Sequence, residues 1–457
     1  MPDALEHFIA ALATGAGVEI AETHISWVLL AGACAYKIKK PVVLPFLDYG
    51  TVERRRFFCH EELRLNRRFA PDLYLDVVDL AGEPAVRMKR FDEALRLDRV
   101  SRRNELTAAH LSQLARDLVA FQARAAVAAP GFGTPATVRA NALENFDELD
   151  RLLPVAAPLL KRLRAWTEAE WQRRTPDFSR RRAAGRVREG HGDLHLGNLV
   201  LLDGRVLPFD GIEFNEDLRC IDVASEIAFA LLDLLDHDRP GLATWLLSEW
   251  LVWSGDFDAL AVLRFYLVYR ALVRAKVSAL QRRTPEATGY LAWAARLTDP
   301  PAPTLTIACG PSGCGKTHET SRRLAGADFL ATVRIRSDVE RKRLHGLAPD
   351  ERSGGAIYSP AATARTYVRL AELAEATLRA GWSVIVDAAF LKRAERDVFR
   401  ALAARLAAPF ALVAPQATPE EMARRIAARQ NDASEATIEV LKDQLRGFEP
   451  PAQDENV

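Results

Sequence analysis

The sequence predicts two parts of different class. An α+β part with a small strand-rich lobe and a helical lobe comes first, and an α/β part with a parallel sheet follows. Three observations predict it. Over roughly the first 95 residues short alternating runs surround one charged helix, and from Ser101 apolar positions recur every three or four residues. After Asp299-Pro-Pro-Ala-Pro303 strand and helix patterns take turns to about residue 446. Each part also carries a motif of phosphate chemistry: His191-Gly-Asp-Leu-His-Leu-Gly-Asn198 with Phe209-Asp210-Gly211, and Gly310-Pro-Ser-Gly-Cys-Gly-Lys316-Thr317. The expected division is 1–298 (lobes 1–95 and 96–298), a join at 299–304, a second domain at 305–449 and a tail at 450–457.

A chain of 457 residues is too long for one ordinary core. Hydrophobic residues at 49% and charged residues at 27% fit a soluble globular protein. A formal charge of +1 argues for no polyanionic partner. The 5 cysteines and 9 histidines show no disulfide framework and no zinc spacing. The first residues lack a signal-peptide pattern, and no apolar run reaches the ~18 residues a membrane span needs. A cytoplasmic protein without a membrane partner is expected.

In chain order, residues 4–14 read as a short helix, and 18–22, 25–30 and 34–42 as strands with Gly32 among the turns. A charged helix runs from Thr51, a suitable N-cap, to about Phe69. Segments 74–80 and 84–91 form a hairpin around Ala81-Gly82-Glu83. Helices follow at 106–128, 142–174, 222–236, 243–253 and 258–281. Arg180-Arg181-Arg182 reads as solvated helix surface or as charge beside phosphate. Prolines in 299–303 fix φ and remove donors, so the join is extended and stiff. Strand 304–309 runs into the Gly-rich turn, and strands 333–338 and 382–387 each end in a carboxylate. The tail reads as disordered.

Asp193 and Asn198 lie in a glycine-flanked turn, and strand 206–210 ends in Asp210. Kinase-type phosphoryl transfer needs this set: one Asp orients and deprotonates the attacking hydroxyl, while an Asn and a second Asp hold Mg2+ on the phosphates. The stretch resembles the catalytic loop of aminoglycoside phosphotransferases and related small-molecule kinases, which share the protein-kinase fold. Gly192 and His195 replace the Arg and Lys usual in protein kinases, which favours the small-molecule branch. The resemblance implies Asp193 as catalytic base and Asn198 and Asp210 as Mg2+ ligands. Asp222 would be a structural carboxylate or a helix N-cap. A Lys–Glu pair for the ATP phosphates is also implied. In Ala35-Tyr-Lys37-Ile-Lys39-Lys40 the small residue two places earlier selects Lys37, with Lys39 second. The other reading is a solvated edge strand. The partner would be Glu62 or Glu61, and Met88 with the residues to Phe91 would form the hinge beside adenine. No G-x-G-x-x-G covers the first hairpin, a departure from protein kinases.

Gly310, Pro311, Ser312, Gly313, Cys314, Gly315, Lys316 and Thr317 complete a P-loop pattern between a strand and a helix. Its backbone N–H groups face phosphates, Lys316 reaches the β/γ-phosphates and Thr317 holds Mg2+. Asp387, ending its strand, is Walker-B-like. This part resembles the small P-loop kinases that include gluconate kinase, polynucleotide kinase and chloramphenicol phosphotransferase. The resemblance implies Asp338 as general base, a helix N-cap being the other reading, with Arg341 or Arg336 on the substrate or phosphate. Arg424-Arg425-x3-Arg429 matches the arginine-bearing lid of such kinases, or is a basic helix face. In the lid reading Arg425 and Arg429 stabilise the transferred phosphoryl group.

The whole chain resembles a bacterial group that joins an aminoglycoside phosphotransferase to a P-loop ATP-binding domain. Tyr36-Lys-Ile-Lys-Lys-Pro41, Leu65-Asn-Arg-Arg68 and the two motifs carry that resemblance. The expectation is a bifunctional kinase using ATP and Mg2+ on small hydroxylated metabolites of the sugar or sugar-acid class. In one alternative, one half is a nucleotide-binding regulatory module. In another, the C-terminal half phosphorylates nucleic-acid or nucleoside 5'-hydroxyls, although no basic-aromatic track for a strand is present. The acceptor and the oligomeric state do not follow from the sequence.

Overall fold

Alternation of apolar and polar residues builds the first sheet of the computed structural model, which describes residues 17–44, 47–80, 82–353, 356–428 and 434–455. The helix expected at 4–14 and Ala81 of the expected turn lie outside the described residues. Strands β1 (Glu19–Glu22), β2 (Ser26–Ala31) and β3 (Cys34–Lys39) lead to helix α1 (Val52–Asn66), then to β4 (Tyr74–Leu80) and β5 (Glu83–Lys89). The sheet order is β1-β2-β3-β5-β4, antiparallel throughout. β3 stops before the expected residue 42 because Pro41 has no N–H for a ladder. Helix α1 starts where the Thr51 side chain accepts a hydrogen bond from Arg54 N. It packs Cys59 into a core with Ala35, Tyr74, Val86 and Met88. Two polar residues of α1, Glu62 and Asn66, are fully buried as well.

Two compact units result, one of residues 1–141 with 178–233 and one of 142–177 with 234–457. The first also contains α2 (Ala108–Arg124), β6 (Val187–Glu189), β7 (Leu199–Leu202), β8 (Arg205–Pro208) and β9 (Cys220–Asp222). β7 pairs with β8 and β6 with β9, both antiparallel. Helix α3 (Val223–Asp236) follows. The solvated reading of the basic run fails at Arg181. Its Nε and Nη2 each donate to Asp222 at 2.8 Å, with both residues buried. Asp222 also accepts from Ala224 N at 2.9 Å, so it is ion-pair partner and cap together.

The single helix expected at 142–174 is two helices, Pro135–Leu152 and Ala157–Ala183. Pro154 cannot donate and its ring blocks the preceding turn. α4 (Pro240–Ser254) and α5 (Leu260–Leu280) follow. The helix Thr284–Thr298 was not anticipated, although its buried Ala287, Tyr290, Leu291, Ala294 and Leu297 carry helical spacing.

The parallel sheet consists of β10 (Leu305–Ala308), β11 (Thr332–Arg336), β12 (Ser383–Asp387) and β13 (Phe410–Val413), in the order β11-β12-β10-β13. Its helices are α6 (Lys316–Ala325), α7 (Ser337–Leu344), α8 (Pro360–Arg379), α9 (Arg393–Arg405), α10 (Pro419–Ala427) and α11 (Ile438–Gly447). Helices α4 and α5, ahead of the proline-rich join, share the core of this sheet. Trp382 is fully buried and donates its indole N–H to Leu260 O at 3.0 Å. The Arg264 guanidinium lies 4.6 Å from the Trp382 ring centre. Val252 of α4 packs on Val339 of α7. Gly241 meets the end of α6 so closely that a Cβ there would lie 1.9 Å from Ala325 O.

The tail is not disordered as far as it is described. Gln453–Glu455 forms a 3-10 turn, and Glu455 pairs with buried Arg396 at 2.6 and 2.9 Å. No helix of the described residues is long and apolar enough to cross a membrane.

Candidate active sites

The first site grows from a strand, a helix and two turns of the first unit. Side chains alternate along β3, so Lys37 and Lys39 share a face turned towards α1. Lys37 Nζ donates to Glu62 Oε1 at 2.9 Å and to Asp210 Oδ1. Lys39 donates to the other Glu62 oxygen at 2.7 Å and to Glu213, which also accepts from Tyr49 OH. Both lysines are buried, which excludes the solvated-edge reading. Glu61 turns away to pair with Arg64 at 2.8 Å. Burial works against the charge on Lys37. Asp210, Glu62 and Glu213 outweigh it and raise the ammonium well above the usual lysine range. Met88 lies on β5 opposite Ala35, packed in the core that lines this face.

The catalytic-type loop is shaped by its glycines. Gly192 has φ +88°, and a Cβ there would stand 2.8 Å from Leu218 O, so an Arg does not fit. At Gly190 a Cβ would collide with Glu226 Oε1 at 2.3 Å. Buried Glu226 needs that space to accept His191 N and the Gln122 amide at 2.7 Å. Burial holds the His191 imidazole below its usual pKa, hence neutral. Its Nε2–H donates to Phe209 O at 2.8 Å while Nδ1 faces Asp193 N. Asn198 Nδ2 donates to Asp193 O at 3.0 Å and to Asp193 Oδ2 at 3.1 Å.

Asp210 sits in the left-handed region at φ +61°, uncommon for a residue with a Cβ. Neighbours hold it there. Tyr74 OH accepts from Asp210 N at 2.9 Å, and Asn66 Oδ1 accepts from Gly211 N at 2.8 Å. The Asn66 amide in turn donates to Glu62 O at 2.9 Å. One side chain thus joins the Lys–Glu pair to the turn of Asp210. The run Leu65-Asn-Arg-Arg68 gives Asn66 no role by itself, because no spacing rule links it to Asp210. Replacing Asn66 by Ala is expected to raise the half-saturating Mg2+ concentration about 10-fold or more, as loss of an outer-shell partner does. The check is ADP release against Mg2+ concentration in a Lys316→Ala background. An unchanged half-saturation point would deny Asn66 this part.

The second site forms where β10 turns into α6. Gly310, Gly313 and Gly315 have φ of +131°, +83° and +108°. A Cβ at Gly313 would meet Met422 O at 2.6 Å. Lys316 Nζ donates to Gly310 O at 2.7 Å and Pro311 O at 2.9 Å, and Thr317 Oγ1 to Asp387 Oδ2 at 3.1 Å. Arg425 of α10 donates to Gly313 O at 3.1 Å and Cys314 O at 3.3 Å, which brings the expected lid arginine onto the loop. Arg429 lies outside the described residues. Gln444 of α11 was missed; its Oε1 accepts from Ser312 N at 2.7 Å. Cys314 packs with Met422 and Leu441, so α10 and α11 grip the loop through an apolar contact.

A cleft of about 830 Å³ extends from the P-loop past Asp387 to Arg336, Asp338, Arg341, Tyr358 and Tyr367. Asp338 is not the N-cap of α7. That position is Arg336, without a side-chain capping bond, and Asp338 stands one residue inside the helix. Behind the site, buried Arg334 donates to Ser321 Oγ at 2.8 Å and Thr320 Oγ1 at 3.3 Å. Thr320 Oγ1 reaches Asp387 Oδ2 at 3.4 Å. The donors at both sites are carboxylate, amide and hydroxyl oxygens, the hard set that suits Mg2+. Lys37 at one site, and Lys316 with the P-loop amides at the other, suit nucleotide phosphates.

Comparison with known proteins matches residues 54–266 to the phosphotransferase enzyme family and residues 305–451 to an AAA domain. Uncharacterized proteins of Mycobacterium bovis and Mycobacterium tuberculosis are 30% identical over 443 residues, 93% of this chain and 88% of theirs. Among solved structures, a choline/ethanolamine kinase family protein from Mesorhizobium loti aligns at 12% identity over 66% of this chain and 95% of its own, with a TM-score of 0.39. Choline kinase from Cryptosporidium parvum aligns at 10% identity over 65% and 95%, TM-score 0.42. A sugar kinase from Janibacter aligns at 22% identity over 34% and 82%, TM-score 0.26.

Proposed function

The chain belongs to one family with these mycobacterial proteins, its residues 54–266 match the phosphotransferase enzyme family, and we propose that it is a bifunctional kinase moving the ATP γ-phosphate to hydroxyls of small metabolites. One observation supports the reading: each part brings a lysine and carboxylates together beside a glycine-shaped loop. In the first, Lys37 steadied by Glu62 binds the α/β-phosphates, and Asp193 accepts the proton of the acceptor hydroxyl. Asn198 and Asp210 would hold Mg2+. In the second, the P-loop amides and Lys316 bind the β/γ-phosphates, Thr317 and Asp387 would hold Mg2+, and Asp338 accepts the proton. When bound, the metal neutralises charge on the phosphates. The short Gly32 turn leaves the phosphate grip of the first site to Lys37, which favours a second reading, in which that part only senses nucleotide.

The test is ADP release across a metabolite panel by the wild type, Asp193→Asn, Lys316→Ala and the double variant. Each single variant is expected to lose a different part of the accepted panel. If both keep full turnover with every acceptor, the bifunctional reading is wrong. Two bound ATP per chain with turnover lost only in Lys316→Ala would establish the sensing alternative instead.

A further inference from the structure

Arg341 is a buried cation that makes no ion pair among the described residues, and it opens on the P-loop cleft. Its residue is only 7% exposed. Nη1 donates to Ile357 O at 3.2 Å and to Thr363 Oγ1 at 3.0 Å, both neutral acceptors. The guanidinium stands 5.0 Å from the centre of the Tyr358 ring. Its Nε–H has no hydrogen-bond partner among the described residues. Arg181, Arg334 and Arg396, more deeply buried still, each face a carboxylate: Asp222, Glu249 and Glu455. Removing an arginine charge from water without an anion is costly, and an arginine of this kind that also lines a cleft is placed to take up an anion there.

Position says which anion. The nucleotide phosphates have Lys316, the P-loop amides and Arg425 at the other end of the cleft. Arg341 instead follows Asp338 by three residues on α7, on one helix face. A single small molecule can therefore set a hydroxyl at Asp338 and an anionic group at Arg341, the two roughly one helical turn, about 5 Å, apart.

We propose that the acceptor at the P-loop site is a small hydroxy acid, its carboxylate paired with Arg341 and its hydroxyl presented to Asp338. This rests on the kinase reading of that site and deepens it. In the step, Asp338 takes the hydroxyl proton and the freed oxygen bonds to the γ-phosphorus. The bond from that phosphorus to the β–γ bridging oxygen breaks. ADP leaves, and the product is the phosphate monoester of the acid. An Arg fork matches a carboxylate in plane and gives a neutral sugar or alcohol no comparable partner.

The test uses the full-length protein with ATP and Mg2+ and acceptor pairs that differ in charge: gluconate and glucose, glucuronate and glucose, glycerate and glycerol. ADP release and phosphate-ester formation are read together. At least one acid is expected to exceed its neutral partner 10-fold or more in kcat/KM, in a reaction lost in Lys316→Ala. Arg341→Gln should raise the half-saturating concentration of that acid at least 10-fold while that of ATP stays within two-fold, and Arg341→Lys should recover part of the loss. Neutral members matching or exceeding the acids, or no acid being phosphorylated, overturns the proposal. So does a shift of the ATP rather than the acid half-saturation in Arg341→Gln, which would assign the guanidinium to the γ-phosphate. Failure of the underlying reading looks different: ADP release would then be indifferent to Lys316→Ala with every acceptor.

Discussion

Asp193→Asn is expected to lower turnover at the first site by about 10²–10⁴, roughly 3–5 kcal/mol of barrier. The geometry makes this a loss of chemistry with the fold intact. Asn keeps the size of Asp, and the Asp193 backbone contacts, its N–H to His191 and its carbonyl to Asn198, do not involve the changed group. What disappears is the carboxylate that accepts the acceptor proton. The Asn198 amide at 3.1 Å loses a charged partner and keeps a neutral one. Nucleotide affinity should therefore change little, because Lys37 and Glu62 are untouched. Measured as kcat and KM for ATP in a Lys316→Ala background, the fall should sit in kcat. A comparable rise in KM for ATP would move Asp193 from proton acceptor to nucleotide contact.

Trp382→Ala is expected to destabilise the second unit by about 3–5 kcal/mol, the usual cost of emptying a fully buried Trp site. The loss has two parts. Apolar surface in the core is replaced by a cavity, and Leu260 O loses the indole N–H that satisfied it at 3.0 Å. The Arg264 guanidinium loses the ring it covers. The position also adjoins Ser383–Asp387, the strand that carries Asp387 to the P-loop. Calorimetry on the full chain checks this. The transition of the second unit should fall by roughly 10 °C, and that of the first should stay in place. A shift under ~2 °C would mean that α5 and the parallel sheet do not share a core.

Much of the site chemistry was legible because it is local. Asp193 and Asn198 reach each other within one turn, and Gly310 to Thr317 fold on themselves, so spacing along the chain stands for distance in space. The left-handed glycines 192, 310, 313 and 315 are local for the same reason. Element boundaries are legible where a cap marks them, as at Thr51, and helical spacing alone hides the break that Pro154 makes.

What the sequence by itself determined is therefore the fold class of each part, the two phosphate motifs and the residue types that serve them. Tertiary structure alone decided how those residues are wired. It split Glu62 between Lys37 and Lys39, and set Asn66 and Tyr74 behind Asp210. It turned the indole of Trp382 onto α5, and among the described residues it gave a carboxylate to Arg181 and Arg396 while leaving the Nε–H of Arg341 unbonded. Periodicity and turn chemistry act over a few residues, whereas a buried charge is satisfied by whatever the packed chain brings to it from far along the sequence.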